Sequence, residues 1–150
     1  MNDNTFVFDE SKYPIAWRFN SNDCLLPFVD KKRIVLLDEI ESRHLWDNIF
    51  PFNHMIKLPS SFLSGIDKVE LDFDDENQSS IFFIEKLKNI EFIFFFWGRG
   101  AGSIVPVDVF LKAWSDFFYP SDESSVMYIP NVAKVIYSFE EQFFYADISK

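Results

Sequence analysis

The segment Glu91–Trp97 constrains the fold more than any other part of the chain. It reads Glu-Phe-Ile-Phe-Phe-Phe-Trp, and a short, nearly continuous run of aromatic and β-branched residues is typical of a strand buried on both faces. Phe is abundant throughout, with 20 residues in 150, and aromatic residues make up 19% of the chain. The sequence therefore predicts a large aromatic core.

Six further segments are predicted to be strands. Residues 69–74 alternate apolar and acidic side chains with a period of two, which predicts a strand with its acids on one face. Ser80–Lys86 predicts the first strand of a hairpin that continues into Glu91–Trp97. Ile15–Phe19 alternates loosely and indicates a short strand. Three strands near the C-terminus are predicted at Ser125–Ile129, Lys134–Phe139 and Gln142–Ile148.

Two main helices are predicted, over residues 39–50 and 107–118. Asp38 followed by Glu41 is the pattern of a capping box at the start of the first helix, and Pro51 ends it. Pro106 suits the first position of the second helix. The second helix has an apolar stripe at helical spacing. Its members are Val107, Phe110, Leu111, Trp114, Phe117 and Phe118.

These elements predict one α+β domain over residues 1–150. An antiparallel sheet of about five or six strands packs against the two main helices, which cover one face of it. Loops are predicted over residues 51–66 and 98–103, and turns over residues 130–131 and 140–141.

Charge limits the classes of partner. Acids outnumber bases 24 to 14, so the net charge is −10, and the excess is concentrated after residue 60. Free nucleic acid and anionic membranes are disfavoured because phosphates are bound by Lys and Arg. The longest apolar run, Phe92–Trp97, is far shorter than the roughly 20 residues of a membrane helix. The N-terminus lacks a basic signal-peptide region and Cys24 is the single cysteine, so we expect a soluble cytoplasmic protein.

Few residues are candidates for catalysis or metal binding. His44 precedes Asp47 by three residues, the types needed for an oriented general base, but a solvated pair on a helix is the expected arrangement. Cys24 lies beside Asp23, which disfavours a reactive thiolate. One Cys and two His, His44 and His54, lack zinc-ligand spacing. The acidic run from Asp72 lacks the Gly and Glu of a calcium loop. We therefore expect no catalytic residue, no metal and no cofactor.

The segment 98–103 holds three of the four glycines of the chain. Its expected position between a strand and a helix is the context of a phosphate-binding loop. It lacks the Lys-Ser/Thr of a P-loop and the glycine spacing of a dinucleotide loop. The prediction is a tightly turned connection, with nucleotide binding as the alternative.

The order of these features resembles the small acidic immunity proteins of bacterial contact-dependent growth inhibition and related polymorphic toxin systems. The resemblance covers most of the chain as a pattern and carries no diagnostic motif. The segments that carry it are Trp17-Arg18-Phe19, Leu45-Trp46, the Phe-rich strand, Phe110–Phe118, and Tyr119-Pro120-Ser121-Asp122-Glu123 before the last strands.

The resemblance implies a non-enzymatic inhibitor that binds its cognate toxin domain in the cytosol. The expected toxin is a nuclease, in particular a ribonuclease or tRNase, whose basic surface the acidic protein covers, and charge complementarity would speed their encounter. The candidate acidic contacts are Glu70, Asp72, Asp74, Asp75, Glu76, Asp122, Glu123, Glu140 and Glu141. The candidate aromatic anchors are Tyr119, Tyr128 and Tyr145. The alternative is an adaptor or regulatory domain that binds a protein unrelated to toxins.

Overall fold

A computed structural model shows a seven-stranded antiparallel sheet with helices on both faces. The predicted α+β class is confirmed, and the sheet has seven strands where about five or six were expected. The structure describes residues 8–13, 15–21, 24, 26–50, 63–70, 76–118, 125–139 and 142–148.

Thirteen elements are assigned within the described residues. The helices are α1 (Ala16–Asn20), α2 (Phe28–Lys31), α3 (Glu39–Ile49), α4 (Glu76–Lys86), α5 (Val107–Lys112) and α6 (Trp114–Phe117). The strands are β1 (Val35–Leu36), β2 (Leu63–Val69), β3 (Phe92–Gly98), β4 (Ala101–Pro106), β5 (Val126–Ile129), β6 (Lys134–Phe139) and β7 (Gln142–Ile148). Every neighbouring pair is antiparallel, in the order β1-β4-β3-β5-β6-β7-β2.

The sheet is covered by helices on two faces, which corrects the prediction that both main helices lie on one. Along β3, Ile93 and Phe95 point into one cluster of buried residues, whereas Phe96 points into another. The first cluster contains α5 and α6, through residues such as Phe110 and Phe117. The second contains α3, through Trp46. A strand with apolar side chains at consecutive positions must be covered on both sides, because successive side chains point in opposite directions.

Residues 80–86 form most of α4, so the predicted strand and hairpin at this position are wrong. Ser79, Phe83 and Leu87 are buried, whereas Ile81 and Ile84 are exposed. The buried residues are four apart, about one turn of a helix. The sequence does not show this helical pattern, because the exposed positions between them are also apolar. The intrinsic β preference of Ile and Phe is outweighed here by tertiary packing.

Residues 16–19 are also helical and not a strand, and Ile15 is the residue before the helix. In α1, Ala16 and Phe19 are fully buried three residues apart, while Trp17 is 51% exposed. The ring centroids of Phe19 and Phe117 lie 5.2 Å apart, so α1 packs against the aromatic cluster beneath α6. Burial of one helical face favours a helix in this short segment, because the alternation of apolar and polar residues is too weak to favour a strand.

The predicted helix over residues 107–118 is divided into α5 and α6. Ala113 separates them with φ −152° and ψ 51°, outside the helical region. The apolar stripe nevertheless faces the core as predicted, and Phe110, Trp114 and Phe117 are almost fully buried. Pro106 is the last residue of β4 and immediately precedes α5.

The Gly-rich segment forms a hairpin turn and an additional strand, where a loop leading into a helix was predicted. The turn at residues 99–100 connects β3 to β4. Gly102, in β4, donates its backbone N–H to Ser42 Oγ at 2.9 Å. A Cβ atom on Gly102 would lie 2.8 Å from the Phe96 ring, so glycine is required for that ring to pack beneath α3.

The capping box predicted for α3 is confirmed. The Asp38 side chain accepts from the Glu41 backbone at 2.8 Å, and the Glu41 side chain accepts from the Asp38 backbone at 3.0 Å. The helix ends at Ile49, one residue short of the predicted end. The three C-terminal strands and the turn at residues 130–131 are also confirmed.

The predicted acidic strand over residues 69–74 overlaps the structure only at its start. β2 begins at Leu63, inside the predicted 51–66 loop, and ends at Val69. Glu70 follows the strand, and residues 71–75 lie outside the described part of the chain, as do residues 51–62 and 140–141.

Candidate protein-binding surfaces

The acidic contact set predicted from the sequence is only partly described. Glu70 and Tyr128 have described side chains, as does Tyr145. Glu76 is the first residue of α4, and its side chain lies outside the described part. The remaining candidates outside the described residues are Asp72, Asp74, Asp75, Tyr119, Asp122, Glu123, Glu140 and Glu141.

Glu70 lies beside a small groove at the β2 edge of the sheet. Its carboxylate is 3.5 Å from Lys68 Nζ, and its side chain is 87% exposed. The groove has a volume of about 280 Å³, and Phe82, Lys86 and Tyr145 also line it. Because the carboxylate is exposed, its ion pair contributes little to stability and leaves Glu70 accessible to a partner.

Tyr145 is held at the same edge by two lysines. Lys86 Nζ lies 4.9 Å and Lys134 Nζ 5.1 Å from the centroid of the tyrosine ring. Lys134 also forms an ion pair with Asp147. Cation–π contacts of this kind fix the ring in place, so Tyr145 is a preorganised aromatic group close to Glu70.

Tyr128 is separated from that edge. Its ring packs 5.9 Å from Phe94 and 6.4 Å from Phe50, on the face of the sheet that α3 covers. In the strand order, β6 and β7 lie between its strand and β2. The structure therefore brings Glu70 and Tyr145 together and places Tyr128 elsewhere.

The excess negative charge of the chain belongs mainly to side chains outside the described part. The described side chains include 14 acids and 12 bases, a net charge of −2. The others include 10 acids and 2 bases, which account for the remaining −8 of the total of −10. Eight of those ten acids occur in residues 72–76, 122–123 and 140–141, which contain no base.

The described residues next to these acidic segments lie at one end of the sheet. Phe139 pairs with Gln142, so the β6–β7 connection is at this end. Val69 pairs with Phe143, the residue after Gln142 in β7. Ser125, just before β5, accepts a hydrogen bond from the Ser138 backbone N–H in β6. Four neighbouring strands, β5, β6, β7 and β2, thus have their ends together where the chain enters or leaves an acidic segment.

The opposite end of the sheet carries an apolar surface around Phe92. Its side chain is 47% exposed and lines two grooves. One groove, of about 570 Å³, is lined by Ile84, Leu111 and the turn after α4. The other, of about 520 Å³, is lined by Ile104 and Pro130. We call this region the Phe92 surface. The first groove is mainly apolar, and an exposed aromatic side chain beside such a groove is typical of a contact with another protein.

The His44–Asp47 pair does not have the arrangement of an oriented general base. Both Asp47 carboxylate oxygens accept hydrogen bonds from Arg99, at 2.9 and 2.7 Å, and His44 is exposed. Hydrogen bonding to Arg99 holds the pKa of Asp47 below its usual value. Asp47 thus connects α3 to the β3–β4 turn. His54 lies outside the described residues.

The Cys24 thiol is in an environment that suppresses its reactivity. Burial raises the pKa of Cys24 to about 11, and the Asp116 carboxylate, with Oδ2 3.5 Å from the Cys24 sulfur, acts in the same direction. Sequence reasoning identified an acidic neighbour, Asp23, but missed Asp116 because it is distant in the chain. A thiol of this kind is a poor nucleophile at neutral pH.

We expect Cys24 in the folded protein to react with iodoacetamide at pH 8 about 30–100-fold more slowly than a free thiol, because its thiolate fraction is lower. Mass spectrometry over a time course measures the rate. The same protein in denaturant is the control and reacts at the free-thiol rate. Folded-state labelling as fast as that control would contradict the buried environment.

Nucleotide and metal binding gain no support from the described residues. The Gly-rich segment leads into β4 and not into a helix, so it lacks the strand-to-helix context of a phosphate loop. No group of three or more His, Cys, Asp or Glu side chains in the described ranges is arranged to hold a metal ion. Within the same ranges, no helix combines the length and apolar character that crossing a bilayer requires.

Comparison with known proteins returned no match to this chain among protein-family models, curated proteins or solved structures.

Proposed function

We propose that this chain is an immunity protein that binds and neutralises a cognate toxin domain of a contact-dependent growth inhibition or related polymorphic toxin system. The expected toxin is a nuclease, in particular a ribonuclease or tRNase. The protein acts without catalysis, by blocking the basic substrate-binding surface or active site of the toxin. Its place of action is the cytoplasm.

The observation that carries the proposal is the placement of charge. Three base-free segments hold eight of the acids, and their described neighbours lie together at one end of four adjacent strands. Elsewhere the described charges nearly cancel, and many are engaged in pairs such as Arg33–Asp108, Arg43–Glu39 and Lys112–Asp30. Negative charge in the segments that adjoin this end of the sheet attracts a positively charged partner over distances up to about a Debye length.

The described residues that were candidates for catalysis are engaged in other contacts, which is consistent with a binding role. Asp47 is engaged by Arg99, and the Cys24 thiol is buried beside Asp116. Tyr145, fixed by Lys86 and Lys134, is an aromatic anchor next to Glu70. Rigid aromatic groups beside charged groups are common among the residues that contribute most to protein binding.

The second candidate function is an adaptor or regulatory domain that binds a protein unrelated to toxins. The Phe92 surface favours it, because an exposed aromatic side chain beside a mainly apolar groove can bind a partner that is not basic.

The proposal predicts survival of cells that express a toxin domain together with this chain. Candidate basic nuclease domains, each from an induced promoter, are expressed with and without the protein, and colony formation is scored. Cognate pairing restores growth by several orders of magnitude and yields a copurifying complex. An unrelated acidic protein of similar size is the control. Failure to protect against any toxin encoded beside the gene for this chain would reject the proposal.

A further inference from the structure

The Phe92 surface has an exposed turn of fixed geometry at its centre. Asn89 adopts a positive φ of 67°, and the Ile90 N–H donates to the Leu87 carbonyl at 3.1 Å. The Glu91 carbonyl accepts from Val107 at 2.9 Å, which ties the turn to the start of α5. The exposed side chains of Lys88 and Glu91 therefore project from a well-defined backbone beside Phe92.

The charges around this surface are balanced. Arg33 and Asp108 neutralise one another through two hydrogen bonds, at 2.6 and 2.9 Å. Lys88 and Glu91 remain, and neither forms an ion pair with any residue that the structure describes. The surface thus offers one positive and one negative side chain, together with two grooves that Phe92 lines, one mainly apolar and one of mixed polarity.

We propose that the Phe92 surface binds a second copy of this chain, as a symmetric dimer. In a two-fold contact both copies use the same surface. If one residue of the first copy contacts a second residue of its partner, the same two residues also contact each other with the copies exchanged. Lys88 of each copy then pairs with Glu91 of the other, and each Phe92 packs into a groove of the facing copy. The unpaired opposite charges make the surface complementary to itself, and a second copy of the chain therefore fits it.

The distribution of charge also permits this dimer in a chain with a net charge of −10. The Phe92 surface lies at the start of β3 and the end of β5, whereas the acidic segments adjoin the other end of the sheet. Repulsion between exposed charges is screened beyond about 8–10 Å at ordinary ionic strength. Dimerisation through the Phe92 surface leaves the strand ends that adjoin the acidic segments away from the contact.

The test is sedimentation equilibrium of the full chain over concentrations from about 5 to about 500 μM, a range that captures a micromolar dissociation constant. The weight-average mass is expected to rise from 17.8 kDa toward twice that value. F92E should abolish the rise, with circular dichroism confirming that the variant is folded. A wild-type chain that stays monomeric across the range would overturn the proposal.

Charge exchange distinguishes this dimer from any other. K88E and E91K each place like charges opposite one another twice, and each is expected to raise the dissociation constant about tenfold. The two variants mixed together should associate, because the two acidic side chains of the K88E copy then face the two basic side chains of the E91K copy. The double variant K88E/E91K should likewise recover self-association. A dimer indifferent to these changes, or one that neither the mixture nor the double variant restores, would contradict the reciprocal pairing.

Discussion

Replacing Trp46 with alanine is expected to lower the free energy of unfolding by about 3–5 kcal/mol. Trp46 is fully buried, and its ring lies 4.7 Å from Phe50 and 5.3 Å from Phe96, centroid to centroid. The cost combines lost burial with the cavity left between α3 and the sheet. Urea denaturation followed by far-ultraviolet circular dichroism measures it without relying on tryptophan fluorescence.

Trp17→Ala is the matched control for this experiment. It removes the same side chain from a helix, but Trp17 is 51% exposed, and its ring centroid lies 5.5 Å from the Arg18 guanidinium. We expect a loss below about 1 kcal/mol, as for most surface substitutions. Equal losses for the two variants would contradict the packing of α3 on the second face of the sheet.

Reversing the charge of Asp74 and Asp75 to lysine is expected to slow association with the cognate toxin domain by about tenfold or more at low ionic strength. This prediction follows from the proposed function, in which the acidic segments steer the encounter. Stopped-flow association rates at several salt concentrations measure it. The dependence of the rate on salt should also weaken, because fewer charges attract the partner.

Asp9 and Glu10 provide the control for net charge. Both are exposed, and neither belongs to an acidic segment that adjoins the ends of β5, β6, β7 and β2. Their reversal to lysine changes the total charge by the same amount as the change at Asp74 and Asp75. We expect a smaller effect on the rate. Equal slowing by both double variants would show that overall charge, and not the acidic end of the sheet, governs association.

The elements predicted correctly are those whose signals are local. α3 begins at a capping box formed by Asp38 and Glu41, and both hydrogen bonds lie within four residues of chain. The last three strands are short segments rich in β-branched and aromatic residues, with only a few residues between one and the next. In contrast, the strand predicted in place of α4 is wrong because Ile81 and Ile84 are apolar yet exposed, which hides the helical pattern.

The candidate surfaces were predictable to a smaller extent. Glu70 and Tyr145, both predicted as contacts from the sequence, line one groove. Tyr128, predicted with them, instead packs against Phe50 on the face of the sheet that α3 covers. The Phe92 surface was missed altogether, because the Phe-rich strand indicated burial along its whole length. Nothing in the run from Phe92 to Trp97 reveals that its first residue remains half exposed.

The amino-acid sequence by itself determined the α+β class, the aromatic core, the start of α3 and the concentration of acids in three segments. These properties depend on composition and on neighbours within a few residues. The tertiary structure alone decided that helices cover both faces of the sheet, that the strands adjoining the acidic segments end together, and that Phe92, Lys88 and Glu91 form one surface. Those outcomes depend on strand order and on contacts between residues distant in the chain, which local periodicity does not encode.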